Sequence, residues 1–383
     1  MKKIFTTGLM IGLVVLLSAC GKLGSDSDST TTSGSKSGSY QTTGAVNNDM
    51  YQGVIKNGTY QTSSARGLTI EQNNQGSNTF NIKSMESGLL ELSKQQFNTN
   101  KYVFQEGQLL STSTAREWLG RESNSNKLGL NPRDNGKTDP TTRNPIYLNQ
   151  ILEQDYMTQT SNGMKLGGVA IALGLNKTDY YTKVKYGAQF QTNISTTQLT
   201  AKGKEMAAKV IERLRAMKQV DKDTPILIGL YAQADADSLV GGTFMQYTVV
   251  KSGNKLGDWT AVNEQNEVLP VIENQKAIDS NVATDFSNFS NQISGFFPTL
   301  AGITAQVHYV DKKVAGMKIT INTQFYGETE IMSFTQYVGT SANKYLPNAI
   351  PIEITIQSVS GIQAFISRET GDKTFYSHVF DSY

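Results

Sequence analysis

Pro225-Ile226-Leu227-Ile228-Gly229-Leu230 and Pro351-Ile352-Glu353-Ile354-Thr355-Ile356 each set a proline directly ahead of a short aliphatic run. Both read as strands entered from a turn. Outward from the first, Gln198 to Lys218 carries Leu199, Met206, Val210, Leu214 and Met217 on one helical stripe. Val169 to Leu175 is a continuous apolar strand, Tyr186 to Ile194 reads as a second, and Thr243 to Val250 follows the proline-led run. Outward from the second, Ile303 to Val310 alternates and Met317 to Tyr326 is a further strand. Glu328 to Leu346 is a helix bearing Ile331, Phe334, Val338 and Tyr345, and Ile362 to Ser367 closes the series. Each unit runs strand, strand, helix, proline-led strand, strand. The pattern implies an α+β fold with mixed or antiparallel sheets packed with helices, built from two related units. Two independent stretches alike only at this coarse level are the alternative.

Ahead of these units lies a helical and loop region. Asn81 to Phe97 carries Ile82, Met85, Leu89, Leu90, Leu92 and Phe97 at helical spacing, and Tyr102 to Leu110 reads as a strand. Thr112 to Leu119 reads as a short helix with Ser111 as its N-cap. Asn, Ser, Asp, Gly and Pro then dominate a long loop, and Asn144-Pro145 leads into an expected helix over Ile146 to Tyr156. The expected boundaries are 51–260 for a first α+β region and 261–383 for a second.

The N-terminus carries a different kind of signal. Lys2-Lys3 precedes the run Leu9 to Leu17, and Leu17-Ser18-Ala19-Cys20 is a lipobox. Nine apolar or glycine residues fall short of the roughly 20 that span a bilayer. Cleavage by signal peptidase II between Ala19 and Cys20 would leave Cys20, the only cysteine in 383 residues, to carry a diacylglyceryl thioether. Residues 1–19 are therefore an expected signal peptide. Residues 20–50 are an expected lipidated cysteine and flexible Ser/Thr/Gly tether, anchoring the chain to the extracytoplasmic face of the cell membrane. A single cysteine excludes a disulfide framework. The net charge of +2 falls to near zero once Lys2 and Lys3 leave, so nothing points to nucleic acid.

Chemistry-bearing motifs are sparse. His308 and His378 lie far apart, and Ser33, Ser252 and Ser341 each begin a Ser-x-x-Lys without a Lys-Thr-Gly partner. Asp235-Ala236-Asp237 lacks the glycine and distal glutamate of an EF-hand. No catalytic residue, metal ligand or cofactor is assigned. The basic helix Gln198 to Lys218 and the 17 tyrosines suit a binding surface as well as ordinary packing. An enzyme acting on wall or peptide material through carboxylates such as Glu106, Glu122 or Glu153 is the alternative, and needs two of them in one cleft.

Glu106-Gly107-Gln108, Trp118-Leu119-Gly120-Arg121, Gly129-Leu130-Asn131-Pro132, Pro145 to Tyr156, Gly168 to Asn176, and Tyr180-Tyr181 occur in this order. Together they resemble the CamS sex-pheromone lipoprotein family of Gram-positive bacteria. The resemblance implies that the cleaved signal is trimmed to Gly12-Leu13-Val14-Val15-Leu16-Leu17-Ser18-Ala19, or to the seven residues from Leu13. It further implies that this peptide acts as a mating pheromone on a receptor in recipient cells during conjugation. The remaining domain is expected to bind without catalysing, and its partner is open.

Overall fold

Two six-stranded sheets dominate the molecule, and in each a proline opens the strand that follows a crossover helix. The computed structural model describes residues 40–68, 78–161, 163–272, 275–296 and 300–381, all within one unit spanning Gly38–Tyr383. Leu17, Ser18, Ala19, Cys20 and the peptide Gly12 to Ala19 lie outside the described residues.

A small antiparallel sheet comes first, formed by β1 (Tyr40–Thr42), β2 (Val54–Lys56) and β3 (Thr59–Tyr60). Strand β1 falls inside the stretch expected as tether. Helix α1 (Thr79–Lys94), strand β4 (Val103–Glu106) and helix α2 (Thr112–Leu119) follow. Ser111 caps α2 as expected, its side chain accepting from the Thr114 amide. The first large sheet then adds β5 (Leu148–Thr160), β6 (Gly163–Asn176), β9 (Ile226–Gln233), β10 (Thr243–Val250) and β11 (Thr260–Ala261). A separate hairpin, β7 (Thr178–Thr182) and β8 (Gln189–Asn193), and helix α3 (Thr196–Arg215) intervene between β6 and β9. The strand order is β11-β10-β9-β6-β5-β4.

The second large sheet runs β12-β13-β14-β15-β16-β17. Its strands are β12 (Glu264–Leu269), β13 (Leu300–Val310), β14 (Lys313–Thr323), β15 (Ile352–Ser358), β16 (Gly361–Arg368) and β17 (Tyr376–Val379), with helices α4 (Ser280–Ser294) and α5 (Glu328–Tyr345). Both sheets share a connection plan. An antiparallel hairpin (β5/β6, β13/β14) leads through a helix to a parallel neighbour (β9, β15), which turns back antiparallel (β10, β16). Each parallel pair is opened by the same bond: Val169 N–H donates to the Pro225 carbonyl, and Met317 N–H to the Pro351 carbonyl, both at 3.1 Å.

Burial explains which strands look apolar. One core packs α2 and α3 on one face of the first sheet, with Leu199, Met206, Val210 and Leu214 meeting Ile171, Leu173, Ile228 and Leu230. A second core packs α1 on the opposite face through Met85, Leu89, Tyr156, Leu227 and Phe244. The second sheet has a single core, where Phe286, Phe289, Phe334 and Val338 of α4 and α5 meet Ile319, Ile354, Ile356 and Ile366. Each fully buried aliphatic side chain contributes roughly 1.5–3 kcal/mol.

The structure corrects three expectations. Ile146 to Tyr156 is not a helix: it enters β5, whose first nine residues are buried between β4 and β6. Its apolar positions mimic a helical stripe because they fall on both covered faces of a strand. Tyr186 to Ile194 yields only β8, paired with β7 outside the large sheets. Tyr102 to Leu110 extends only to Glu106, because residues 107–110 turn to cap buried acids. Helix α4 was not expected, although Val282, Phe286, Phe289 and Ile293 form its buried stripe and Asp279 caps it.

Candidate functional site

The candidate carboxylates all lie on or beside the first sheet, and the strand register decides which of them can meet. Glu106 pairs with Gln154 across β4 and β5, so its side chain shares the α1 face, whereas Glu153 and Asp155 point to the other. Glu106 accepts from the Ser63 amide at 2.7 Å and from Arg66 Nη1 at 3.1 Å, tying the segment after β3 to the sheet. Arg66 also faces Glu86 of α1 at 3.5 Å. Burial and the neighbouring Glu106 push the Tyr60 hydroxyl up to about 12, and burial raises Glu86 against the pull of Arg66. Glu122 sits apart at the surface, paired with Arg133 at 3.2 Å. The three glutamates do not share a cleft.

Glu153 has a different neighbour, which the helical reading hid. Its two oxygens accept from the Leu109 and Leu110 amides, each at 2.8 Å, while Asp155 Oδ2 accepts from Gln108 N–H at 2.9 Å. Gly107 makes this wrap possible, since a Cβ there would stand 2.4 Å from the Glu153 side chain. Burial raises both acids, and the Glu153 charge raises Asp155 further. Asp155, which takes one backbone amide against the two that Glu153 takes, is the acid pushed further up. With 5% and 2% of their surfaces exposed, the two acids hold a loop against a strand and present no face to a substrate.

Other quoted segments serve the same end. Asn131, fully buried, accepts from the Tyr147 and Leu148 amides and donates to the Leu119 and Leu148 carbonyls. Arg121 donates to the carbonyls of Pro132 and Asn144. Arg143 meets Asp179 at 2.6 Å in a buried ion pair that also takes the Ile146 amide, and stacks 3.9 Å over the Tyr181 ring. The basic face of α3 is largely occupied: Lys202 pairs with Glu205, Arg213 donates to the Leu128 carbonyl, and Arg215 to those of Gly253 and Asp221.

Sequence reading missed an amide cluster at the carboxyl ends of the parallel strands β6 and β9, where α/β sheets commonly take ligands. Asn149 donates to Gln233, which donates to Gln150, and Asn176 lies opposite Gln233 in the register. Asn149 Oδ1, Gln150 Nε2 and Asn176 Oδ1 are buried without a protein partner. Uncharged amides can bind and orient, but they are poor acids and bases. Nearby, Asn81 at the start of α1 accepts from the amides of Ala234 and Gly242 and donates to the Ala234 carbonyl. Asp235 and Asp237 lie in that β9–β10 connection, with Asn78 donating to the Asp235 carbonyl. Among the described residues, no group of three or more His, Cys, Asp or Glu is placed to hold a metal ion. His308 bonds Asn266 at 2.7 Å and is lowered by burial, while His378 packs edge-on against Phe380.

Among curated proteins no match to the chain was found. The family model described as CamS sex pheromone cAM373 precursor matches residues 60–374. The crystal structure of a sex pheromone precursor from Lactobacillus salivarius subsp. salivarius UCC118 is 48% identical, with a TM-score of 0.85 over 90% of this chain and 100% of its own. The C-terminal domain of the sex pheromone staph-cAM373 precursor from Staphylococcus aureus is 30% identical, with a TM-score of 0.69 over 81% of this chain and 100% of its own. The matched span contains the first large sheet, the second but for β17, the buried acid pair and the Asn131 hub, and on that basis the chain belongs to the CamS sex pheromone precursor family.

Proposed function

We propose that the chain is a surface lipoprotein precursor whose signal peptide releases the apolar peptide Gly12 to Ala19, while the rest stays anchored through Cys20. The observation that carries this reading is the lipobox Leu17-Ser18-Ala19-Cys20 at the head of a chain of this family. Cleavage before Cys20 fixes the C-terminus of the peptide at Ala19. Eight residues without a charged side chain suit an apolar receptor groove in a recipient cell. Two acyl chains at roughly 0.8 kcal/mol per buried methylene anchor far more firmly than one. The folded part is read as a non-catalytic binding module, a reading supported by the way Glu106 and Glu153 are sealed against backbone amides.

The experiment joins two readouts from the same cells. Labelled fatty acid should follow the wild type and be absent from Cys20→Ala, and mass spectrometry of wild-type supernatant should find residues 12–19 or 13–19. Label on the alanine variant sinks the lipoprotein reading. Absence of both peptides from the supernatant sinks the pheromone reading. Turnover of peptidoglycan or peptide that disappears with Glu106→Gln would replace the binding module with an enzyme.

A further inference from the structure

We propose that the tip of the β7–β8 hairpin docks the folded part of the protein on an anionic bilayer surface. The hairpin has a fixed base and an unusual end. At the base, Asp179 is buried against Arg143, Arg143 stacks on Tyr181, Tyr181 faces Phe190 at 5.9 Å, and Lys183 lies 4.2 Å over the Phe190 ring. Tyr181 further donates to the Thr138 carbonyl at 2.7 Å. The turn over residues 183–188 is closed by Gly187 N–H donating to the Val184 carbonyl at 3.0 Å.

Two side chains of this turn point into solvent, Val184 at 67% exposure and Tyr186 at 92%. Tyr186 adopts φ +61°, a left-handed conformation that costs a residue with a Cβ and that glycine or asparagine takes more readily. The fold gains no burial from tyrosine here, so turn geometry alone would select a smaller residue. Charge supplies the second half of the argument. From Lys177 to Gln198 the chain carries three lysines and one carboxylate, Asp179, which is buried at the base. Outside the hairpin, Asp139 feels Lys183 but is bonded to Thr141, and Asp235 and Asp237 act on Tyr180 in β7.

Lys183 and Lys185, alternating with exposed Val184 and Tyr186, match a layer that offers phosphate outside and hydrocarbon beneath. A tyrosine ring with its hydroxyl at the wet end suits that boundary. A soluble polyanion would use the lysines and leave Val184 and Tyr186 without a role. The inference rests on the reading of the chain as membrane-anchored, since a tether brings the tip within reach of lipid. Its test uses protein without Cys20, so the two ideas fail separately.

Protein beginning at Gly38, which retains all three hydrophobic cores, would be sedimented with vesicles of phosphatidylglycerol and phosphatidylcholine, and with vesicles of phosphatidylcholine alone. Binding should require the anionic lipid, weaken about fivefold for Lys183→Gln or Lys185→Gln, and weaken at least about tenfold for both. Tyr186→Asn should weaken vesicle binding while leaving the melting temperature unchanged or higher, which a purely structural tyrosine would not do. Equal binding to both vesicle types, no binding, or wild-type binding by Tyr186→Asn overturns the proposal. Binding of soluble polyglycerol phosphate as tight as vesicle binding, and insensitive to Tyr186→Asn, reassigns the tip to a polyanion and overturns it too.

Discussion

The two large sheets follow one connection plan under different cover, and the difference is written in their proline-led strands. Strand β9 is buried along its whole length because α2 and α3 cover one face of its sheet and α1 the other. Strand β15 buries Ile352, Ile354 and Ile356 under α4 and α5, and turns Glu353 and Thr355 to the opposite, more open side. A strand covered twice reads as a continuous apolar run, whereas a strand covered once alternates. The same backbone role therefore produces Ile-Leu-Ile-Gly-Leu in one unit and Ile-Glu-Ile-Thr-Ile in the other.

The sharpest way to break this comparison is to exchange the residues second after each proline. Leu227→Glu puts an unpaired carboxylate under α1 and should cost at least about 4 kcal/mol in urea denaturation, or prevent folding. Glu353→Leu should stay within about 0.5 kcal/mol. Equal costs would mean the open side of the second sheet is covered after all. A smaller effect tests the extra helix layer itself. Asn81→Ala removes the bonds that fasten α1 to residues 234 and 242, and should cost about 2–3 kcal/mol. Faster hydrogen exchange should appear in α1 and β9 and spare β15.

The buried pair Glu153 and Asp155 lies in the first sheet, so pH should separate the two. Asp155 is raised in the folded protein by burial and by Glu153, so the fold holds its proton more tightly than the unfolded chain does. That contribution is complete below the ordinary aspartate value of about 3.9 and is lost as pH rises through the folded value. Asp155→Asn should gain on wild type as pH increases, read as the difference of their denaturation midpoints. A difference that shrinks toward alkaline pH would refute the upward shift of Asp155. The crossover helices give the smallest effect. Helix α3 starts with a capping box, Ser195 with Gln198, whereas α5 starts at Gly327 without a side-chain cap. Ser195→Ala should cost about 1 kcal/mol, and Gly327→Ser should add a few tenths, displacing only the flexible end of Glu330.

Elements with one buried face were legible. Helices α1, α3 and α5 show their stripes in the sequence, and Ser111 marks the start of α2. Strand β5 was not legible, because Gln150, Glu153, Gln154 and Asp155 are polar yet buried, which only their distant partners allow. The error propagated to the site. On a helix, residues 153 and 155 point well apart, while on a strand they share a face. The spacing Glu153-Gln154-Asp155 held that signal, once read with period two. The amide cluster needed the parallel pairing of β6 with β9, which no local pattern carries.

Strand β1 meets β2 over three residue pairs, and β2 joins β4 where Phe104 N–H donates to the Gln52 carbonyl at 2.8 Å. Any pull arriving from the N-terminal side enters at Tyr40 and opens these pairs one after another, as a zipper. Peeling residues 40 to 52 would release roughly 45 Å of chain before load reaches Phe104 and the cores behind it. If the chain is anchored through Cys20 as proposed, this small sheet would yield before the two large ones and lengthen the tether under load.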